Sequence, residues 1–230
     1  MEENKYCYKY PHPAVTTDCV IFGYDEMKLK VLLIERGREP YLGKWAFPGG
    51  FIQMDETVEQ GALRELKEET GLSADYIEQF HCFSDPLRDP RERVISIAFL
   101  ALVKISDVQG GDDAAKAQWF ELDQIPQLAF DHDVMLRMAL NKLRERIHFQ
   151  PIGFDLLPEK FTLKQLQMLY EAILDVHFDR RNFAKKMLHF DILTQLEETT
   201  WPTPKREAYL FSFNKEKYDE LKQKGFRLEF

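Results

Sequence analysis

The chain has 230 residues, of which 44% are apolar and 18 are phenylalanine, and its formal net charge is −8. This composition is typical of a folded globular protein and excludes a disordered chain. The longest mainly apolar run, Val94–Val103, has ten residues, well short of the roughly 20 that a membrane-spanning helix needs. The N-terminus carries no apolar secretory signal, and the three cysteines form no C-x-x-C pair. We therefore expect a cytoplasmic protein without disulfides, structural zinc or a membrane partner.

The acidic residues are concentrated in the first part of the chain. Residues 1–150 contain 26 Asp and Glu against 18 Lys and Arg, whereas residues 151–230 contain 13 of each. Pro and Gly residues in the segment 150–158 interrupt the pattern between the two parts, as in a linker. The sequence thus predicts two domains, 1–150 and 151–230, with different binding partners.

Strand and helix signals alternate in the first domain, which predicts a mixed α+β fold. The predicted strands are Ala14–Phe22, Lys30–Glu35, Val94–Val103 and Gln118–Leu122. The predicted helices are Thr57–Thr70 and His132–His148.

The first predicted helix carries three carboxylates along one flank. Its apolar stripe, which includes Ala62 and Leu66, is bordered by Glu65 and Glu69, and Glu68 lies three residues from Glu65. Carboxylates at the edge of a buried face should point into a cleft, where their mutual repulsion favours a bound cation. Oxygen ligands select a hard ion such as Mg²⁺ or Mn²⁺. The alternative is an acidic helix face in solvent, which the glycines before and after the helix disfavour.

The segment Gly50–Leu72 resembles the Nudix box, G-x5-E-x7-R-E-U-x-E-E-x-G-U, in which U is a bulky aliphatic residue. All constrained positions match, namely Gly50, Glu56, Arg64, Glu65, Leu66, Glu68, Glu69, Gly71 and Leu72. The resemblance implies an α/β/α sandwich with a catalytic loop–helix–loop that cleaves diphosphate bonds. It also implies a structural ion pair between Glu56 and Arg64.

The same resemblance implies the metal ligands. Glu65 and Glu69 would be the main ligands of Mg²⁺ or Mn²⁺, with Glu68 assisting and the carbonyl groups of Gly49 and Gly50 completing the coordination sphere. The metal would neutralise diphosphate oxygens and activate a water for attack at phosphorus.

A second charged cluster follows the box. Arg88, Arg91 and Arg93 precede the predicted strand Val94–Val103 and are suited to bind the phosphates of a substrate, with Asp89 beside them as an extra base or ligand. The alternative is a local charge network at the entry of a strand.

The segment Leu128–Asp133 resembles the branch of the superfamily that acts on ADP-ribose or senses sugars. His132 in this segment either contacts the substrate or caps the helix that follows, and the sequence leaves both open. The implied ligand is ADP-ribose or another nucleoside diphosphate sugar.

The second domain has the element order of a winged helix-turn-helix. Two helices are predicted, Leu163–Leu174 and a second one from Asp179 to about His189. The strands Ile192–Leu196 and Ala208–Phe213 follow, joined by a loop, Glu197–Arg206.

A domain of this kind would bind double-stranded DNA with its second helix in the major groove and its wing on phosphate. The second helix is predicted to bury Phe183, Met187 and Leu188. The candidate DNA-binding residues are Arg180, Arg181, Asn182, Lys185 and Lys186 on the helix and Lys205 and Arg206 on the wing. The alternative is a packing or dimerisation domain, because the net charge of this part is zero.

The order of the two domains resembles that of the Nudix-related transcriptional regulators, and this likeness implies a homodimer. Two hypotheses follow. The first is a metal-dependent pyrophosphohydrolase with a DNA-binding or vestigial appendage. The second is a repressor whose Nudix domain binds the effector without significant catalysis. Regulators of this type often have a degraded box, whereas this box is intact, so we favour the first hypothesis for the chemistry; both can hold together.

Overall fold

A computed structural model describes residues 8–25, 27–74, 76–108, 114–203 and 206–226. The strands are β1 Ala14–Asp25, β2 Lys28–Arg36, β3 Trp45–Ala46, β4 Gly49–Phe51, β5 Tyr76–Phe83, β6 Val94–Leu102, β7 Ala114–Glu121, β8 Leu193–Thr203 and β9 Arg206–Phe213. The helices are α1 Val58–Thr70, α2 His132–Phe149, α3 Leu163–Leu174, α4 Arg180–His189 and α5 Lys215–Gln223, with a 3-10 turn at Phe154–Leu156. The α+β class is confirmed.

Strands β1 to β7 form one mixed sheet in which β1 is central. On one edge, β1 runs parallel to β6 along Ala14–Phe22. On the other edge, Thr16–Asp18 pair with β4, whereas Ile21–Asp25 pair with β2. Strand β1 therefore changes partner between Asp18 and Ile21, and the sheet forks there.

Alternate residues of β1 pack into two different layers, as the period of a strand requires. Cys19 and Ile21 contact the layer of α1. Val20 and Phe22 lie in the larger core, which also contains residues of α2, α3 and α4. The expected α/β/α sandwich is therefore confirmed, with C-terminal helices added to the α2 side.

Both ends of α1 are determined by local sequence. The Thr57 hydroxyl accepts the backbone N–H of Gln60, and the Gln60 side-chain oxygen accepts the N–H of Thr57, which together form a capping box. At the other end Gly71 adopts the left-handed conformation, with φ of 74°. The rotation of the helix follows from the packing of Ala62 and Leu66 on the sheet, and Glu69 then faces strand β4.

The winged helix is confirmed. Helix α3 begins with a capping box at Thr162, and α4 begins at Asp179, whose carboxylate accepts the backbone N–H groups of Arg181 and Asn182. Phe161 pairs with Phe211 and so joins the start of α3 to the hairpin of β8 and β9. Helix α5 was not predicted.

The segment 150–158 is not an exposed linker. Ile152, Phe154, Leu156 and Leu157 are buried, and a Cβ on Gly153 would lie 3.1 Å from Leu169. Its proline and glycine interrupt regular structure, but its large apolar side chains pack against α2 and α3.

Two details predicted for the winged helix were also wrong. The loop expected from Glu197 to Arg206 is mostly strand, because β8 continues to Thr203 with strand-forming threonines and Trp201. Leu188 is 48% exposed rather than buried, since Phe183 and Met187 already fill the inner face of α4. None of the helices in the described part of the chain has both the length and the apolar composition of a membrane-spanning segment.

Candidate functional site

The fork between β1 and β2 opens into a cavity of about 230 Å³, here called the fork cavity. Its polar lining consists of Thr16, Asp18, Arg36, Arg38, Glu39, Glu69, Arg88, Asp89, Arg91 and His132. Strand β4 and Glu69 also line a neighbouring carboxylate cavity, which is completed by Arg64, Glu65 and Glu68. The two cavities therefore meet at the glycines of β4.

Arg64 connects the carboxylates of the box. Its Nε and Nη2 donate to the two oxygens of Glu56 over 2.9 and 2.7 Å, so the ion pair implied by the resemblance is present. Its Nη1 donates to Glu65 over 2.8 Å and to Glu68 over 2.9 Å. Hydrogen bonding to this guanidinium lowers the pKa of Glu56 to about 2. Arg64 thus anchors the box loop to α1.

Glu65 lies against the glycine strand. A Cβ on Gly50 would be 2.2 Å from Glu65 Oε1, so only glycine leaves room for this carboxylate. Burial raises the pKa of Glu65, although Arg64 acts in the opposite direction. A carboxylate that burial disfavours in its charged form gains stability from a nearby cation.

Glu69 is nearly buried, and its Oε2 accepts the backbone N–H of Gly49 over 2.9 Å. Glu68 is much more exposed, at 47% of its side chain. Within the part of the chain that the structure describes, no three His, Cys, Asp or Glu side chains converge closely enough to enclose a metal alone. The available donors are nevertheless all oxygen atoms, which fits Mg²⁺ or Mn²⁺ when backbone carbonyls contribute.

Arg88 is buried at the fork cavity rather than extended toward solvent. Its side chain is 4% exposed. Its Nε and Nη2 donate to both oxygens of Asp131 over 3.0 and 2.7 Å, and Nη2 lies 3.6 Å from Asp18. The positive charge is therefore largely offset by carboxylates, and Arg88 joins β1 to the start of α2.

The other arginines of the loop before β6 differ in position. Arg91 lines the fork cavity and donates through Nε and Nη2 to both oxygens of Asp89, over 3.0 and 2.7 Å. Arg93 lies outside both cavities and donates to the backbone carbonyls of Asp85 and Val94. Of the three arginines, Arg88 and Arg91 thus line the fork cavity, and each is paired with an aspartate.

His132 is 2% exposed and lines the fork cavity. It does not cap α2, because the N-cap position is Asp131. Its Nδ1 accepts the backbone N–H of Phe47 over 3.0 Å, and its Nε2 lies 3.5 Å from Asp18. Burial lowers the pKa of His132. Its imidazole therefore connects the start of α2 to Phe47 and to Asp18 of β1.

Sequence reasoning missed several cavity residues. Asp18 and Arg36 precede the box by more than ten residues in the sequence and reach the cavity only through the pairing of the strands. Phe51 and Phe130 also line the cavity. The sequence signal for Asp18 is its position within the mainly apolar predicted strand Ala14–Phe22. Burial of a carboxylate is unfavourable unless it has a partner, so such a residue indicates a functional or paired group.

The candidate DNA-binding residues of α4 form an exposed face. Arg180, Arg181, Asn182, Lys185 and Lys186 are all exposed. Lys205 lies outside the described residues. Arg206 begins β9, but its side chain is not described.

The NUDIX domain model matches residues 12–139, more than half of the chain. The chain belongs to the Nudix family. The NrtR DNA-binding winged helix domain model matches residues 153–213. This Nudix protein therefore combines the family's domain with a winged helix of the NrtR type.

Similar proteins include both regulators and hydrolases. The ADPR responsive transcriptional repressor NtrR of Acinetobacter baylyi is 32% identical over 215 residues, which are 91% of this chain and 86% of that protein. The ADP-ribose pyrophosphatase of Methanocaldococcus jannaschii is 44% identical over 128 residues, which are 56% of this chain and 73% of that protein. The crystal structure of Shewanella oneidensis NrtR complexed with a 27mer DNA matches at a TM-score of 0.77 and 29% identity, covering 93% of this chain and 97% of that one.

Proposed function

We propose that this Nudix protein is a DNA-binding transcriptional regulator whose Nudix domain binds ADP-ribose. The strongest support is the match along 93% of the chain to NrtR crystallised with DNA. In this proposal residues 1–150 bind the nucleotide, and residues 151–230 bind double-stranded DNA. The chain acts in the cytoplasm as a homodimer, because two copies would read the two half-sites of a symmetric operator.

The chemistry of the joined cavities supports a nucleoside diphosphate sugar as the ligand. The fork cavity contains aromatic rings and guanidinium groups, including Phe130 and Arg36, and the carboxylate cavity contains the glutamates of the box. The diphosphate would lie beside β4, where the two cavities meet. ADP-ribose is favoured because one relative is named for its response to ADPR and another as an ADP-ribose pyrophosphatase.

The exposed face of α4 supports binding in the major groove. A helix N-terminus with Arg181 and Asn182 offers donors to base edges and phosphates. Lys185 and Lys186 lie one turn further along the exposed side, and Lys205 and Arg206 would add phosphate contacts from the wing. Although the net charge of residues 151–230 is zero, the exposed side of α4 is locally positive and can therefore face the phosphates of DNA.

The intact box favours a second activity, hydrolysis of the diphosphate. Glu65 and Glu69, with Glu68 and the Gly50 carbonyl, would hold Mg²⁺ or Mn²⁺. A bound ion of this type neutralises phosphate oxygens and lowers the pKa of a bound water. The chain's own contribution is positional: Arg64 anchors the box loop, and the Gly49 N–H orients Glu69.

Regulation is tested by fluorescence anisotropy with labelled duplexes that the full chain selects from a random pool. We expect salt-sensitive duplex binding whose affinity changes when ADP-ribose saturates the protein. Absence of salt-sensitive binding would reject the DNA-binding function, and binding unaffected by ADP-ribose would reject its role as effector.

Hydrolysis is tested separately by AMP release from ADP-ribose with Mg²⁺ or Mn²⁺. Turnover would establish a hydrolase in addition to a regulator. Binding of ADP-ribose without turnover would restrict the Nudix domain to sensing.

A further inference from the structure

Helix α2 extends from the fork cavity to the winged helix. Its first residue, His132, lines the cavity, and its N-cap residue, Asp131, binds the cavity residue Arg88. With 18 residues and a rise of about 1.5 Å per residue, the helix is roughly 27 Å long. Its C-terminal half packs on α3, where Ile147 and Ile173 belong to one buried cluster. Helix α2 therefore contacts both the proposed effector site and the DNA-binding domain.

Arg144 makes the polar contact between α2 and the end of α3. Its side chain is 33% exposed, and its Nε donates to the backbone carbonyl of Ile173 over 2.9 Å. Ile173 lies in the last turn of α3, where carbonyl groups lack partners within the helix and a positive charge is favourable. Arg144 Nη2 also lies 4.0 Å from Asp175, which follows α3 in the left-handed conformation with φ of 57°. Arg144 thus holds the point where α3 ends.

The turn between α3 and α4, residues 175–178, is in turn bonded to α3. A side-chain oxygen of Glu171 accepts the backbone N–H of Phe178 over 2.8 Å. Gln167 Nε2 donates to the Phe178 carbonyl over 3.0 Å. Phe178 directly precedes Asp179, the N-cap residue of α4. A displacement of the last turn of α3 is therefore carried to the start of α4, the helix with the candidate DNA-binding face.

A cavity on another side of this turn leaves room for such a displacement. It has a volume of about 310 Å³ and lies between Met27, in the turn that joins β1 to β2, and the end of α3. Asp175, Val176 and His177 line it from the turn. Close-packed interiors resist displacement, whereas side chains beside a cavity have fewer neighbours to displace. The turn is therefore held from α2 by Arg144 and has space toward the β1–β2 turn.

We propose that α2 couples occupancy of the fork cavity to the orientation of α4, with Arg144 as the positioning residue. A ligand in the cavity contacts the wall that contains His132 and displaces the start of α2. The helix moves as a unit, and Arg144 passes the movement to the Ile173 carbonyl and the turn. Helix shifts of roughly 1–2 Å are a common form of such switching. This inference rests on the proposed regulation by ADP-ribose and assigns the route that the regulation takes.

The test compares duplex affinity of the full chain with and without saturating ADP-ribose, measured by fluorescence anisotropy. The ratio of the two affinities is the coupling, which is about 5–150 in typical allosteric proteins. We expect this ratio to fall close to one in Arg144→Met, which keeps an unbranched stem and loses the donors, and to recover in Arg144→Lys, which restores a donor. Calorimetry should show ADP-ribose affinity without DNA within about twofold of the wild type. Arg137→Met is the matched control, because Arg137 is an exposed arginine on the same helix.

Two further readouts distinguish coupling from general damage. Because linkage is reciprocal, a saturating duplex should change ADP-ribose affinity by the same factor in the wild type and in Arg137→Met, and by a factor near one in Arg144→Met. Amide hydrogen exchange of residues 175–178 is measured without DNA. We expect ADP-ribose to change this exchange in the wild type and in Arg137→Met, and to leave it unchanged in Arg144→Met.

The outcomes separate this inference from the proposed function. A wild-type ratio of one would reject ADP-ribose as the effector and the coupling with it. A wild-type ratio different from one that persists in Arg144→Met would overturn the route through Arg144 and leave the regulation in place. If Arg144→Met does not fold, the wild type alone decides, because exchange at residues 175–178 that does not respond to ADP-ribose would overturn the inference.

Discussion

The backbone N–H of Gly49 donates to the Glu69 carboxylate over 2.9 Å, which joins strand β4 to the last turn of α1. This bond holds a nearly buried carboxylate at the junction of the two cavities. An amide oxygen can accept the same bond, so a glutamine at this position would keep the geometry and lose only the charge.

Glu69→Gln should therefore separate chemistry from folding. We expect metal-dependent release of AMP from ADP-ribose to fall about a hundredfold or more, because a charged oxygen donor for the metal is lost. The melting temperature and duplex affinity should stay close to those of the wild type. Turnover at the wild-type rate would remove Glu69 from the set of metal ligands.

The two glycines of β4 should respond differently to alanine. A Cβ on Gly49 would lie 2.2 Å from the backbone oxygen of Thr17, whereas a Cβ on Gly50 would meet the movable carboxylate of Glu65 at the same distance. We expect Gly49→Ala to destabilise the fold by about 1–3 kcal/mol, as overpacking does. Gly50→Ala should preserve stability but displace Glu65 and reduce turnover. Denaturant titrations measure the stability and AMP release measures the turnover. A Gly50→Ala variant less stable than Gly49→Ala would contradict these two contacts.

The ion pair between Glu56 and Arg64 predicts an acid-dependent loss of stability. Because the pKa of Glu56 is lowered to about 2, its stabilising contribution is complete above the ordinary pKa of a glutamate, roughly 4.3. The contribution is lost as the pH falls from there toward 2. Glu56→Gln should be less stable than the wild type at pH 7, and the difference should shrink below pH 4. Urea unfolding measures both stabilities. A difference between the wild type and Glu56→Gln that stays constant from pH 7 to pH 2 would show that the ion pair with Arg64 does not stabilise the fold.

Arg181 on α4 is expected to contact DNA. Arg181→Ala should weaken duplex binding and lower the dependence of log affinity on log salt by about one, while AMP release is unchanged. Arg137→Ala is the control, since Arg137 is an exposed arginine on α2 outside the winged helix. Equal duplex affinities for both variants would place the DNA-binding surface elsewhere.

Local signals explain why α1, α3 and α4 were predicted well. Thr57, Thr162 and Asp179 each cap a helix through bonds to residues two or three positions ahead, and Gly71 ends α1. Such contacts are encoded within a few residues, so spacing alone reveals them.

The arrangement of the fork cavity depends on contacts between distant residues. Arg88 was expected to bind phosphate, but its partner Asp131 is 43 positions away and neutralises it. The three-residue strand β4 is specified by its pairing with β1 rather than by its own composition. The proline and glycine of the segment 150–158 indicate a linker, whereas the side chains that bury its apolar residues belong to α2 and α3 and do not follow from the segment's own composition.

The continuous core on the α2 side of the sheet has a thermodynamic consequence. It contains Val20 of the central strand and Phe211 of the wing hairpin in one cluster of buried side chains. Removing the winged helix would expose part of that cluster to water, which is unfavourable in proportion to the apolar area uncovered. We expect calorimetry of the intact chain to show a single unfolding transition, and proteases to cut between residues 150 and 158 only after the whole molecule has melted.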